Sequence, residues 1–121
     1  MSINSVPSSY GILAWDASQP FRDTYVTIPE DFNGRTITSV TASYGDSAST
    51  TNAVFVLQMK NSSGSVASSV SWTHTGGNRS HQETFGSPLT LASGNTLNLF
   101  YSSTPPDSNA KGYSATFEIS N

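Results

Sequence analysis

The sequence predicts an all-β chain folded as a single antiparallel β-sandwich or jelly roll of seven to eight strands. Three observations predict it. Apolar and polar residues alternate at period two in one segment after another, the pattern of strands with one buried face. Turn chemistry separates those segments: Asn33-Gly34, Gly45-Asp46, NSSG at 61–64, SGN at 93–95 and TPPDSNAKG at 104–112. No window of helical length carries a 3.6-residue period with caps. At 121 residues the chain is one domain, long enough to bury a core without staples. Residues 1–20 read as an N-terminal arm or first strand, and residues 21–121 as the β-sandwich domain.

The first segment holds Pro7, the pair Ser8-Ser9 and an apolar patch of Tyr10, Ile12, Leu13 and Trp15. It is either a strand of the sandwich or an arm laid across a neighbouring subunit, with Trp15 as an anchor, a sugar-stacking ring or an end plug. TYVTIP (24–29) is the next strand, and PEDF (29–32) has the composition of a single helical turn. In RTITSVTASY (35–44), Ile37 falls out of phase with Val40, Ala42 and Tyr44, which predicts a bulge near Thr38–Ser39. AVFVLQMK (53–60) is apolar on both faces for most of its length, as expected of a central strand covered on both sides.

SVASSVSWT (65–73) places Val66, Val70 and Trp72 on one face. TLNLFY (96–101) has Leu97, Leu99 and Tyr101 on one side, with Asn98 and Phe100 opposite. YSATFEIS (113–120) closes the chain with Tyr113, Ala115, Phe117 and Ile119 inward. Trp72, Tyr113 and Phe117 therefore belong to the core rather than to a ligand site.

The stretch SWTHTGGNRSHQETF (71–85) contains both histidines, the Gly76-Gly77 pair and Arg79. Two histidines seven apart with Glu83 beyond lack the spacing of a helical or strand metal site. No nucleophile, base and orienting carboxylate are set in order, and Gly76-Gly77 precedes no helix that would receive a phosphate. The stretch reads as an exposed, adhesive connecting loop, so His74, Arg79 and His81 join Tyr10, Ile12, Leu13 and Trp15 as partner-binding candidates. Asp46 and Asp107 each stand alone in their loops, and turn capping outweighs calcium ligation there.

Composition bounds the function. There is no cysteine, so disulfides and thiolate chemistry are excluded. Only 11% of residues are charged, against about 25% in ordinary soluble domains. Hydroxyls replace charge, with 23 Ser and 14 Thr. The net charge is −3 and the basic residues Arg22, Arg35, Lys60, Arg79 and Lys111 are scattered, which argues against a nucleic-acid partner. No apolar run is long enough for a membrane span, and the start lacks the basic residues and apolar core of a signal peptide. The eight acidic residues form no argued pair, and no catalytic residue, cofactor or metal is expected.

Four segments in this order, DTYVTIPEDFNGRTITSVTASY, TTNAVFVLQMKN, LTLASGNTLNLFY and AKGYSATFEI, resemble a group of small β-sandwich proteins and domains of tailed bacteriophages. The resemblance spans residues 23–119. It implies a virion structural protein, assembled in the host cytoplasm, of the capsid decoration (cement) type or a tail-fibre or baseplate appendage. The implied partners are the major capsid protein or tail proteins, and further copies of the chain as a trimer or other cluster about a symmetry axis. The alternative is an adhesin or lectin-like module that binds a glycan. The family supplies no catalytic residues, and neither the N-terminal patch nor the 74–81 stretch belongs to its shared pattern.

Overall fold

The computed structural model describes residues 9–15, 25–102, 104 and 106–120, with the side chains of all but residues 9–15 and 111. Among the described residues, eight strands run in chain order: β1 (Ser9–Trp15), β2 (Tyr25–Thr27), β3 (Thr36–Ser47), β4 (Ala53–Lys60), β5 (Val66–His74), β6 (Ser80–Thr90), β7 (Thr96–Tyr101) and β8 (Lys111–Ser120). PEDF supplies a single 3₁₀ turn, Glu30–Phe32, whose Phe32 is buried. The strands form two antiparallel sheets, β1-β8-β3-β6 and β2-β7-β4-β5. Among the described strands, β4 and β5 form a hairpin within one sheet, and all other consecutive strands lie in opposite sheets.

The sheets face each other across a single core. Alternation does the work: Ile37, Val40, Ala42 and Tyr44 of β3 and Tyr113, Ala115, Phe117 and Ile119 of β8 point inward, all at most 4% exposed. They meet Phe55, Leu57, Leu97, Leu99 and Trp72 from the other sheet, buried to the same degree. Phe55 stacks on Tyr113 with ring centroids 3.9 Å apart and planes 3° from parallel, and Trp72 meets Phe117 edge-on at 5.7 Å. Such cross-sheet aromatic contacts bury large apolar areas and set the sheet separation.

The bulge in β3 lies at Thr38. Ile37 pairs with Ile119 and Ser39 with Glu118, so two steps on β3 match one on β8, and the inward phase is reset for Val40 onward. On the other side, Ile37 pairs with Leu89 and Ser39 with Thr84, leaving residues 85–88 of β6 opposite Thr38 alone.

Two strands differ from expectation. β4 is central, but only Ala53, Phe55, Leu57 and Met59 are buried; Val54, Val56, Gln58 and Lys60 are half-exposed on the outer face. Its apolar outer residues reflect β-propensity rather than a second covering layer. Val66 is 53% exposed rather than core, because Ala67 is an extra residue between the Met59–Ser68 and Lys60–Val66 pairs and shifts the phase.

The first segment contributes β1, which pairs antiparallel with β8 from Ser9–Glu118 to Trp15–Tyr113. The side chains of Tyr10, Ile12, Leu13 and Trp15 lie outside what the structure describes, as do residues 1–8 and 16–24 altogether. No helix among the described residues is long and apolar enough to cross a membrane.

Candidate functional site

The 71–85 stretch is a sheet-crossing corner, not a long loop. β5 continues to His74, β6 begins at Ser80, and residues 75–79 make the turn. Three crossings gather at this end: 48–52, 75–79 and 102–110. Ser49 holds them together. It is 1% exposed, and its Oγ donates to the Thr51 carbonyl at 2.8 Å while accepting the Asp107 N–H at 3.1 Å. Its own carbonyl takes the Gly77 N–H at 2.8 Å, while Asn52 Oδ1 takes the Gly76 N–H at 2.8 Å. Gly76 is required by contact: a Cβ there would sit 2.5 Å from the Thr50 carbonyl oxygen.

Asp107 does cap its own turn, accepting the Asn109 N–H at 3.1 Å through Oδ1. Its Oδ2 reaches further, accepting the Thr50 N–H at 2.8 Å and the Thr50 hydroxyl, so one carboxylate ties two loops. Those bonds, led by the Thr50 hydroxyl, hold its pKa below the usual carboxylate range. Asp46 is exposed at the end of β3.

Beneath these loops lies a buried polar relay. His74 is fully buried, so it is a core residue and not the exposed partner-binding residue its neighbours suggested. The reason is phase: it follows Val70 and Trp72 at period two on the inward face of β5. Its Nε2 lies 2.8 Å from the Asn78 carbonyl, which can only accept, so that nitrogen carries the proton. Nδ1 is then the acceptor of the Tyr113 hydroxyl at 2.9 Å, and Tyr113 Oη in turn accepts the Trp72 Nε1–H at 3.0 Å. The chain runs indole to phenol to imidazole to backbone carbonyl, with each polar atom satisfied. Burial pushes the His74 pKa down, the Asn78 bond opposes this, and nearby His81 adds to the lowering. Burial also pushes the Tyr113 phenol far above its usual range.

Tyr44 packs against His74 and Tyr113 with centroids 4.6 and 4.8 Å away. Its hydroxyl is buried with no hydrogen-bond partner among the described residues, and burial raises its pKa to about 12.

The structure brings the two histidines together, with ring centroids 5.6 Å apart. They do not form a metal site: both His74 nitrogens are committed within the core, and His81 Nε2 pairs with Glu83 Oε1 at 3.0 Å. No cluster of three potential metal ligands occurs among the described residues. Arg79 is exposed in the corner, and its guanidinium donates to the Gly45 carbonyl. His81 and Arg79 thus remain at the surface, while His74 does not.

Sequence reasoning missed Ser49, Asn52 and Tyr113 as a polar framework. One signal was available: Trp72 and Tyr113 sit at inward positions of predicted strands, His74 follows Trp72 in phase, and inward polar atoms must find partners.

Two surfaces flank this end. The outer face of the first sheet is covered by hydroxyls and amides such as Thr41, Ser43, Gln82 and Thr116, with few charges among its described residues. Between the edges of β5 and β6 lies an open groove of about 230 Å³, lined by residues 69–71, Glu83 and residues 85–87. No protein-family model matches the chain, and no curated protein matches it.

Proposed function

We propose that the chain is a bacteriophage virion structural protein of the capsid decoration type, which acts by contact rather than by chemistry. Its fold is read as a jelly roll. The supporting observation is the strand order: β1-β8-β3-β6 facing β2-β7-β4-β5 is the arrangement of two interleaved Greek keys, an architecture common in viral capsid and lectin domains. The polar groups of the relay are spent on one another, Trp72 on Tyr113, Tyr113 on His74 and His74 on Asn78, which stiffens the loop end. The residues proposed to meet the partner are Tyr10, Ile12, Leu13 and Trp15 of the first strand, with Arg79 and His81 at the loop end. The partner is the assembled shell, and the chain acts there as a homo-oligomer whose repeated weak contacts add across the lattice.

The test is co-sedimentation of the full-length protein with empty shells built from the major capsid protein of the phage genome that encodes it. Saturable binding that Trp15→Ser weakens, with thermal melting unchanged, supports the reading. Full-length protein that stays in the supernatant at every concentration refutes it. A second reading, a glycan-binding adhesin, is favoured by the groove, where Ser69, Ser71, Ser87 and Glu83 line an open cleft with hydrogen-bonding groups suited to sugar hydroxyls. A glycan array with and without calcium decides it: a specific saccharide hit supports this reading, and a blank array removes it.

A further inference from the structure

A four-stranded sheet has two edges, and edges with free N–H and C=O groups invite pairing with another chain. Three of the four edges in this protein carry guards. β1 is broken by an extra residue, Ile12, between the Gly11–Thr116 and Leu13–Ala115 pairs. β2 is only three residues long. β6 bows out over residues 85–88, which include Gly86 and Pro88, a residue that cannot donate to a ladder.

β5 is different. Residues 68–74 pair with residues 53–59 of β4 without any shift, from Ala53–His74 to Met59–Ser68. This run contains no proline and no Asp, Glu, Lys or Arg. Its outward side chains, Ser69, Ser71 and Thr73, are short and exposed. No described strand pairs with its outer edge. β6 runs alongside that edge without pairing to it, and an open groove separates residues 69–71 from Glu83 and residues 85–87.

We infer that the outer edge of β5 is a self-association site, where a second copy of this chain pairs its own β5 antiparallel across a two-fold axis at Ser71. The register follows from the alternation. Ser71 meets its counterpart, Ser69 meets Thr73 on the outer face, and Val70 meets Trp72 on the inner side. Small hydroxyl pairs and an absence of like charges make this strand complementary to itself. The two sheets then merge into one of eight strands, and both liable edges are removed together. The inference goes beyond the virion reading and competes with the glycan reading, because pairing at residues 69–71 would fill the groove that a saccharide would occupy.

The test is sedimentation of the full-length protein across a wide concentration range. The wild type is expected to reach a dimer. Ser71→Lys and Ser71→Glu each place like charges together at the axis and should weaken dimerisation at least about tenfold. Because Ser71 is exposed, both variants should melt like the wild type at concentrations where the wild type is monomeric, which separates lost pairing from lost folding. Mixing the Lys and Glu variants should restore dimers, since residue 71 faces its own counterpart only across a two-fold axis. A wild type that stays monomeric at the highest concentration, or forms an oligomer indifferent to both substitutions, overturns the inference. Failure of the mixture to re-associate overturns the register.

Discussion

Replacing Tyr113 by Phe removes one oxygen and leaves the ring stacked on Phe55. The cost comes from what that oxygen serves. It accepts the Trp72 indole N–H at 3.0 Å and lies 2.9 Å from His74 Nδ1, to which it donates. Trp72 is 2% exposed and His74 is fully buried, so no solvent replaces the lost partner. Each stranded group costs about 1–3 kcal/mol, and with some relaxation the pair should cost about 3 kcal/mol. At about 2.1 cal/mol/K of unfolding entropy per residue, the 121-residue chain should melt about 12 °C lower. Denaturant titration and calorimetry measure both quantities. A double-mutant cycle with Trp72→Phe gives a sharper reading. Once the phenol oxygen is gone, the indole has no bond left to lose, so the double mutant should be about 1–2 kcal/mol more stable than the sum of the singles predicts. A Tyr113→Phe protein within about 0.5 kcal/mol of wild type, a shift typical of neutral surface changes, would refute the relay as a stabilising network.

Acid should act through two groups. The folded-state pKa of His74 lies below its ordinary 6.5, so the unfolded chain binds the proton first. Stability should be level above that pH and decline as pH falls below it towards the folded value; His74→Gln should flatten this limb in denaturant titrations. Asp107 follows with its pKa held below 3.8, contributing stability above that value that is lost as pH falls through the folded one. Asp107→Asn should diminish this second, smaller limb and speed amide exchange at Thr50. Gly76→Ala forces a methyl against the Thr50–Thr51 backbone and should cost about 2–3 kcal/mol. Gly86→Ala, with open space around it, should stay within about 0.5 kcal/mol, and paired melting curves compare the two.

Much of this protein was legible from side-chain chemistry alone. The inward rows of β3 and β8, the bulge at Thr38, the 3₁₀ turn at Glu30–Phe32 and the turn cap at Asp107 are all local consequences of alternation and turn preference. Each depends on residues a few positions apart, so the linear pattern carries it. What failed were the reading of residues 80–85 as loop, where β6 begins, and inferences about which surface a segment turns towards. Val66 looked inward because nothing local reveals that Ala67 is an added residue relative to β4. β4 looked doubly covered because valine serves a half-exposed strand as well as a buried one. His74 looked like a loop residue because Gly-Gly and Asn followed it, although its phase with Trp72 already pointed inward.

The candidate site was less legible still. The relay joins residues 72, 74, 78 and 113, and the loop clamp joins 49, 50, 52, 76, 77 and 107; the strand crossings bring them together, not sequence spacing. The sequence by itself determined an all-β chain, its inward rows and its low charge, because period-two alternation is a property of neighbouring residues. The tertiary structure alone decided which strands became edges, which edge stayed unguarded and which polar atoms met in the core. Those outcomes depend on pairing between strands far apart in the chain, where register and sheet order set every distance.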